Sequence, residues 1–126
     1  MATENAHPAL TTMSEDEAAF RDAVRAFAEG EIKPLVSKMD EHAQLEPSLL
    51  PKLFEMGLMG VESPEKFGGS GGTFMMACLA VEEIARVDGS VSVLVDVQNT
   101  LVTNAFIRWG SEAIKAKYLP KLAREW

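Results

Sequence analysis

Val91-Ser92-Val93-Leu94-Val95-Asp96-Val97 is the stretch on which the fold class turns. Its valines fall on alternate residues, and a period-two apolar pattern rich in β-branched side chains is that of a half-buried strand. The apolar run continues over residues 90–109, however, too long for one strand, and Leu101, Val102, Ala105 and Phe106 follow helical spacing. From these residues alone the segment is buried and its type stays open.

Outward from it, the flanks read as helical. Downstream, Gly110-Ser111-Glu112 gives a stop and a restart, with Ser111 as N-cap and Ile114, Tyr118 and Leu122 as the apolar stripe of a last helix. Upstream, Thr73 caps a helix whose core face is Ala77, Ala80, Val81 and Ile84, with Glu82 and Arg86 as a solvent-side i, i+4 pair. Phe67-Gly68-Gly69-Ser70-Gly71-Gly72 before it is too glycine-rich for regular structure, and Leu58-Met59-Gly60-Val61-Glu62-Ser63-Pro64 is extended or turned. A short helix spans residues 47–56, with Leu49, Leu53 and Met56 on one side and Gly57 as its left-handed terminator. The first helix opens on the capping box Ser14-Glu15-Asp16-Glu17 and carries Phe20, Val24 and Phe27 on one face. Gly30 and Pro34 should end or bend it near Lys33. Residues 1–13 read as a mobile tail.

The 126 residues suit one domain, and 47% hydrophobic with 25% charged is a globular composition. The net charge of -7 comes without any Lys/Arg block, which argues against nucleic acid and against an anionic membrane surface. No stretch reaches the roughly 18 apolar residues of a membrane span, and the acidic N-terminus resembles neither a signal nor a transit peptide. Cys78, the one cysteine, sits in an apolar run and reads as a buried thiol of a reducing compartment.

The catalytic inventory is thin. His7 and His42 stand in polar surroundings with no metal-ligand spacing around them, so no metal site is expected. The glycine loop lacks the Gly-Lys-Ser/Thr ending of a phosphate loop and the spacing of a dinucleotide turn. It reads as a tight connection allowing close packing and positive φ. Glu82 and Glu83 diverge by about 100° on a helix and do not converge on one substrate atom.

Five blocks, in order, resemble the N-terminal domain of acyl-CoA dehydrogenases. They are Glu31-Ile32-Lys33-Pro34-Leu35, Gly57-Leu58-Met59-Gly60-Val61, Pro64-Glu65-Lys66-Phe67-Gly68-Gly69-Ser70-Gly71, Val81-Glu82-Glu83-Ile84-Ala85-Arg86-Val87-Asp88, and Gly110-Ser111-Glu112 with Lys117-Tyr118-Leu119-Pro120. Leu35-Val36-Ser37-Lys38-Met39-Asp40-Glu41, Val87-Asp88-Gly89-Ser90-Val91-Ser92-Val93 and Gln98-Asn99-Thr100-Leu101 look most like the short/branched-chain members.

The resemblance implies an all-α fold, an orthogonal or up-down helix bundle over residues 14–126, with the family's β-domain and C-terminal helical bundle absent from this sequence. It makes residues 90–109 a helix. Family chemistry is α,β-dehydrogenation of an acyl-CoA to the trans-2-enoyl-CoA, in fatty-acid or branched-chain amino-acid breakdown. A glutamate takes the α-proton, hydride passes to FAD, and electrons leave to an electron-transferring flavoprotein. No residue here matches the catalytic glutamate or the flavin-contacting motif, so the chain alone is expected to bind no FAD and to be inactive. Its implied contribution is an acyl-pocket lining of Val93, Leu94, Val97 and Leu101. The resemblance further implies a homo-oligomer, in bacterial cytoplasm or, with a leader removed, in the mitochondrial matrix. An apolar helix freed of its partner domains would make the isolated chain self-associate. Two other readings compete: a stand-alone helical interaction module, and a relative with different flavin chemistry.

Overall fold

In the computed structural model, which describes residue 9 and residues 12–125, Ser14 opens the first helix, α1 (Glu15–Phe27). The Ser14 hydroxyl accepts from the Glu17 amide at 3.2 Å, and the Glu17 carboxylate accepts from the Ser14 amide at 2.9 Å. Two otherwise orphaned donors are satisfied at once, with three acids set against the positive end of the helix dipole. Val24 and Phe27 are buried in the core, and half-buried Phe20 packs against that core. Most of the expected tail, residues 1–13, falls outside the described residues.

Gly30 and Pro34 do not end this helix; they change its winding. The backbone widens into a π turn (Ala28–Ile32), in which the Lys33 amide reaches the Ala28 carbonyl five residues back. It then tightens into a 3-10 turn (Lys33–Leu35) and continues as α2 (Val36–His42). Proline has no N–H to donate to the carbonyl four residues back, so the α-helical ladder cannot pass through position 34 unchanged.

α3 (Leu49–Glu55) buries Leu49 and Leu53, while Met56, expected on the same side, lies past the last turn and is exposed. Gly57, at φ 71, closes the helix as anticipated: its amide donates to Phe54 O, and the Leu58 amide donates to Leu53 O. The loop that follows is itself core, with Leu58, Met59, Val61 and Ser63 buried.

Thr73 caps α4 (Phe74–Ala85) through the Met76 amide, and Ala77, Ala80 and Ile84 face inward with Val81 half-buried. α4 packs against α1 and against α5 (Gly89–Asp96), which Asp88 caps by accepting from the Val91 amide at 2.7 Å. α5 runs without a break through a π-helical segment (Val97–Thr103) into α6 (Asn104–Trp109). Residues 89–109 are therefore helical throughout, and the family-implied reading overrules the strand-like pattern. α7 (Glu112–Arg124), capped by Ser111, closes the domain. Its buried positions are Leu119 and Ala123, not the expected Ile114 and Tyr118, which are exposed; Leu122 is half-buried. Gly60 decides that face, because a Cβ there would stand 3.0 Å from the Ala123 Cβ. Only a bare backbone lets the loop and α7 come this close.

Two further expectations are corrected. Cys78 is exposed, because Ala77 and Leu79 take the inward positions on that turn of α4. Arg86 pairs with Glu83 at 3.1 Å, not with Glu82 across a solvated face. Glu83 is only 4% exposed and receives two hydrogen bonds, each 2.8 Å, from the Arg25 guanidinium of α1. Those bonds, with the charges of Arg25 and Arg86, hold the Glu83 carboxyl below its ordinary range although burial pushes it upward. One buried carboxylate thus rivets α1 to α4.

Among the described residues there is no strand, and no helix is long and apolar enough to cross a membrane. The core runs through Val24, Ile32, Leu53, Ile84, Val91 and Val95. Each such side chain taken fully out of water contributes roughly 1.5–3 kcal/mol.

Candidate functional site

The valine pattern that suggests a strand has a helical explanation. Val91, Val95, Asn99 and Thr103 are buried, whereas Val93, Val97, Leu101, Ala105 and Trp109 are exposed. Both sets advance by four residues, so alternate positions lie on opposite faces of one helix. A plain α-helix overshoots a turn by about 40° in four residues, which over three such steps would swing a line about 120° round the axis. The π winding of Val97–Thr103, in which the Asn104 amide reaches the Asn99 carbonyl five residues back, takes that drift out. Period two in the sequence is therefore a helix with an apolar stripe inside and another outside.

Three of the four expected pocket residues meet on the outer stripe. Val93 is 59% exposed, Val97 37% and Leu101 67%. Leu94, one position round, is half-buried and packs on the core. It lines a different hollow of about 500 Å³, together with Met39, Asp40, Leu45, Asp88 and Val91 among others. A smaller depression of about 250 Å³ lies between α4 and the π segment, lined by Phe74, Ala77, Cys78, Val81, Asp96 and Thr100 among others. Thr100 is tethered there, its hydroxyl donating to the Asp96 carbonyl at 2.8 Å.

Sequence reasoning missed Asn99. This side chain is 2% exposed; its Oδ1 accepts from the Val61 amide at 2.8 Å, and its Nδ2 donates to the Leu58 and Val95 carbonyls at 2.7 and 2.8 Å. The available signal was its place four residues after Val95 on an inward line, where an amide must find partners.

The glycine loop is committed to the domain's own backbone. The amides of Gly69, Ser70, Gly71 and Gly72 donate in turn to the carbonyls of Pro64, Gly60, Ser63 and Val61. Gly68 and Gly71 have positive φ, and a Cβ on Gly69 would lie 2.0 Å from the Ser63 carbonyl oxygen. The close-packing reading stands. These amides are not free to cradle a diphosphate. His42 is exposed, with Nδ1 against the Lys38 carbonyl, and His7 lies outside the described residues. Among the described residues no three His, Cys, Asp or Glu side chains gather as a metal site.

An all-helical domain with an apolar outer stripe has counterparts among known proteins. The chain belongs to the acyl-CoA dehydrogenase family: the family model for the acyl-CoA dehydrogenase N-terminal domain matches residues 14–125. The mitochondrial short/branched chain specific acyl-CoA dehydrogenase of Bos taurus is 44% identical over 98% of this chain, which bears out the short/branched-chain resemblance. The match takes in 29% of that relative, so the chain spans under a third of the relative's length. The butyryl-CoA dehydrogenase of Megasphaera elsdenii superposes with a TM-score of 0.83 at 30% identity, over 89% of this chain and 30% of that one. A glutaryl-CoA dehydrogenase from Mycobacterium smegmatis, solved with FADH2, gives 0.81 at 30% identity over 88% of this chain and 28% of that one.

Proposed function

We propose that this domain forms one wall of the acyl pocket in a flavin-dependent dehydrogenase acting on short or branched acyl-CoA thioesters. The observation that carries the reading is the outer line of Val93, Val97 and Leu101, apolar and uncovered on a helix whose opposite line, Val91, Val95, Asn99 and Thr103, is buried. An acyl tail is held chiefly by removal of its methylenes from water, about 0.8 kcal/mol each, and an aliphatic surface supplies that without directional chemistry. Leu94 supports the stripe from its inward side.

These residues contribute binding alone. The stripe carries no acid, base or redox group, and the glycine loop's amides are committed elsewhere. In this reading the FAD and the glutamate base of the family reaction would stand in other parts of the full-length enzyme. The chain by itself is proposed to be inactive, with the full-length protein yielding a trans-2-enoyl-CoA and passing electrons to an electron-transferring flavoprotein. A homo-oligomeric enzyme in the mitochondrial matrix or bacterial cytoplasm fits that role.

The test is Leu101→Phe in the full-length protein. Filling the stripe should lower kcat/KM for a longer acyl-CoA by at least about tenfold relative to a shorter one, the scale of a methylene-sized misfit in an apolar pocket. An unchanged chain-length profile in a folded enzyme would remove the stripe from the pocket.

A further inference from the structure

We propose that Asn99 is a positioning residue: it holds the π winding of residues 97–103 and so fixes the direction in which Val97 and Leu101 point. This rests on the pocket-wall reading above. Asn99 lies between those two residues in sequence and on the opposite, buried line of the same helix, so a rotation of the backbone there carries both. Two of its three hydrogen bonds leave the helix altogether, for the Val61 amide and the Leu58 carbonyl. That loop is itself clamped, since the Ser70 and Gly72 amides donate to the Gly60 and Val61 carbonyls. The third bond returns to the Val95 carbonyl, in the turn just before the widened segment.

The helix is thus referenced to a fixed outside frame at the point where its winding changes. Core filling would ask only for volume, which leucine supplies. One accepted and two donated bonds ask for an amide, because a carboxylate cannot donate and a hydroxyl cannot reach three partners. Asn99 is buried on the line opposite the stripe and bonded to backbone alone, so it acts on the pocket only through its neighbours.

The experiment uses the full-length protein and two straight acyl-CoA substrates differing by one pair of methylenes. Asn99→Asp keeps the acceptor and loses both donors. Asn99→Ser is milder, since a serine hydroxyl can bond back to the Val95 carbonyl within the helix while releasing the loop. The ratio of kcat/KM for the two substrates should shift about tenfold, carried by KM with kcat within about threefold. The control is Gln98→Ala, which removes a 2.9 Å bond from the same helix to the Leu122 carbonyl and should lower stability while leaving the ratio alone.

Folded Asn99 variants with the wild-type ratio, beside a Leu101→Phe enzyme whose ratio moves, would overturn the positioning role and spare the pocket wall. A Leu101→Phe enzyme whose ratio does not move would overturn both. A readout independent of turnover is hydrogen exchange at the Val61 amide, which should quicken at least about tenfold in Asn99→Ser. Unchanged exchange there would show that Asn99 does not hold the loop to the helix.

Discussion

Two long helical stretches in this domain change winding midway, and they do so for different reasons. In the first, α1 to α2, the cause is covalent: Pro34 has no N–H, and the bonds around it widen and then tighten. In the second, α5 to α6, there is neither proline nor glycine between positions 90 and 109, and a buried amide bonded to a neighbouring loop sits at the centre of the widened segment. The first interruption lies where Lys33 and Pro34 are exposed; the second lies between two apolar faces. A helix altered by its own covalent chemistry can be altered anywhere. One altered by its surroundings reports on what it is packed against.

The comparison breaks most sharply within the second stretch, on its two faces. Val95→Asp would bury an unpaired carboxylate at a site 1% exposed and should cost upward of about 4 kcal/mol, enough to abolish the cooperative unfolding transition. The same change two residues on, Val97→Asp, should cost no more than about 0.5 kcal/mol and weaken self-association of the isolated chain. Denaturant melts and sedimentation equilibrium on the pair check both; comparable losses of stability would mean that the two stripes are not distinct.

A middle-sized effect tests how the first stretch is anchored. Glu83→Gln should cost about 2 kcal/mol near neutral pH, the scale of hydrogen bonds to a charged group, because half-exposed Arg25 can turn to water. The folded Glu83 carboxyl lies below its unfolded value of about 4.3, so its contribution is present above that pH and is lost as pH falls through the lower folded value. Wild type and Glu83→Gln should therefore converge in acid, which urea melts across pH 7 to pH 3 would read. A gap that persists undiminished would mean that the ion pair is not what separates them.

The first stretch's proline is tested by Pro34→Ala. The position is exposed in a 3-10 turn, where proline is tolerated, so stability should change by less than about 1 kcal/mol. The new amide should be protected from hydrogen exchange if the ladder regularises through position 34. If it exchanges freely, proline is not what diverts the first stretch.

Local chemistry made much of this fold legible. Ser14, Thr73 and Ser111 cap the helices they were expected to cap, and Gly57 takes the left-handed turn. What was not legible depended on packing between elements. Arg86 was paired with Glu82 and the burial of Glu83 went unread, because nothing local announces that Arg25, 58 positions away, reaches Glu83. Ile114 and Tyr118 were placed inside by spacing, yet the closeness of Gly60 to Ala123 turns α7 on another face. Val91 to Val97 alternated like a strand because two opposite faces of one helix are both apolar, which a rule assuming a single buried face cannot represent. Val93, Val97 and Leu101 were singled out by family resemblance and not by local pattern, and nothing local marks Asn99 as their buried counterpart.

A stripe that repeats every four residues without drifting is a straight ruler laid along the helix. Its graduations, Val93, Val97 and Leu101, are about 6 Å apart in α geometry and somewhat closer where the helix is widened. On a drifting stripe, successive side chains slide away round the cylinder, and a linear guest loses them one by one. On a straight one, every graduation stays available to the same guest, and its reach can be read off in discrete steps. Enlarging one mark would cut the scale short at that mark and leave the earlier ones in use.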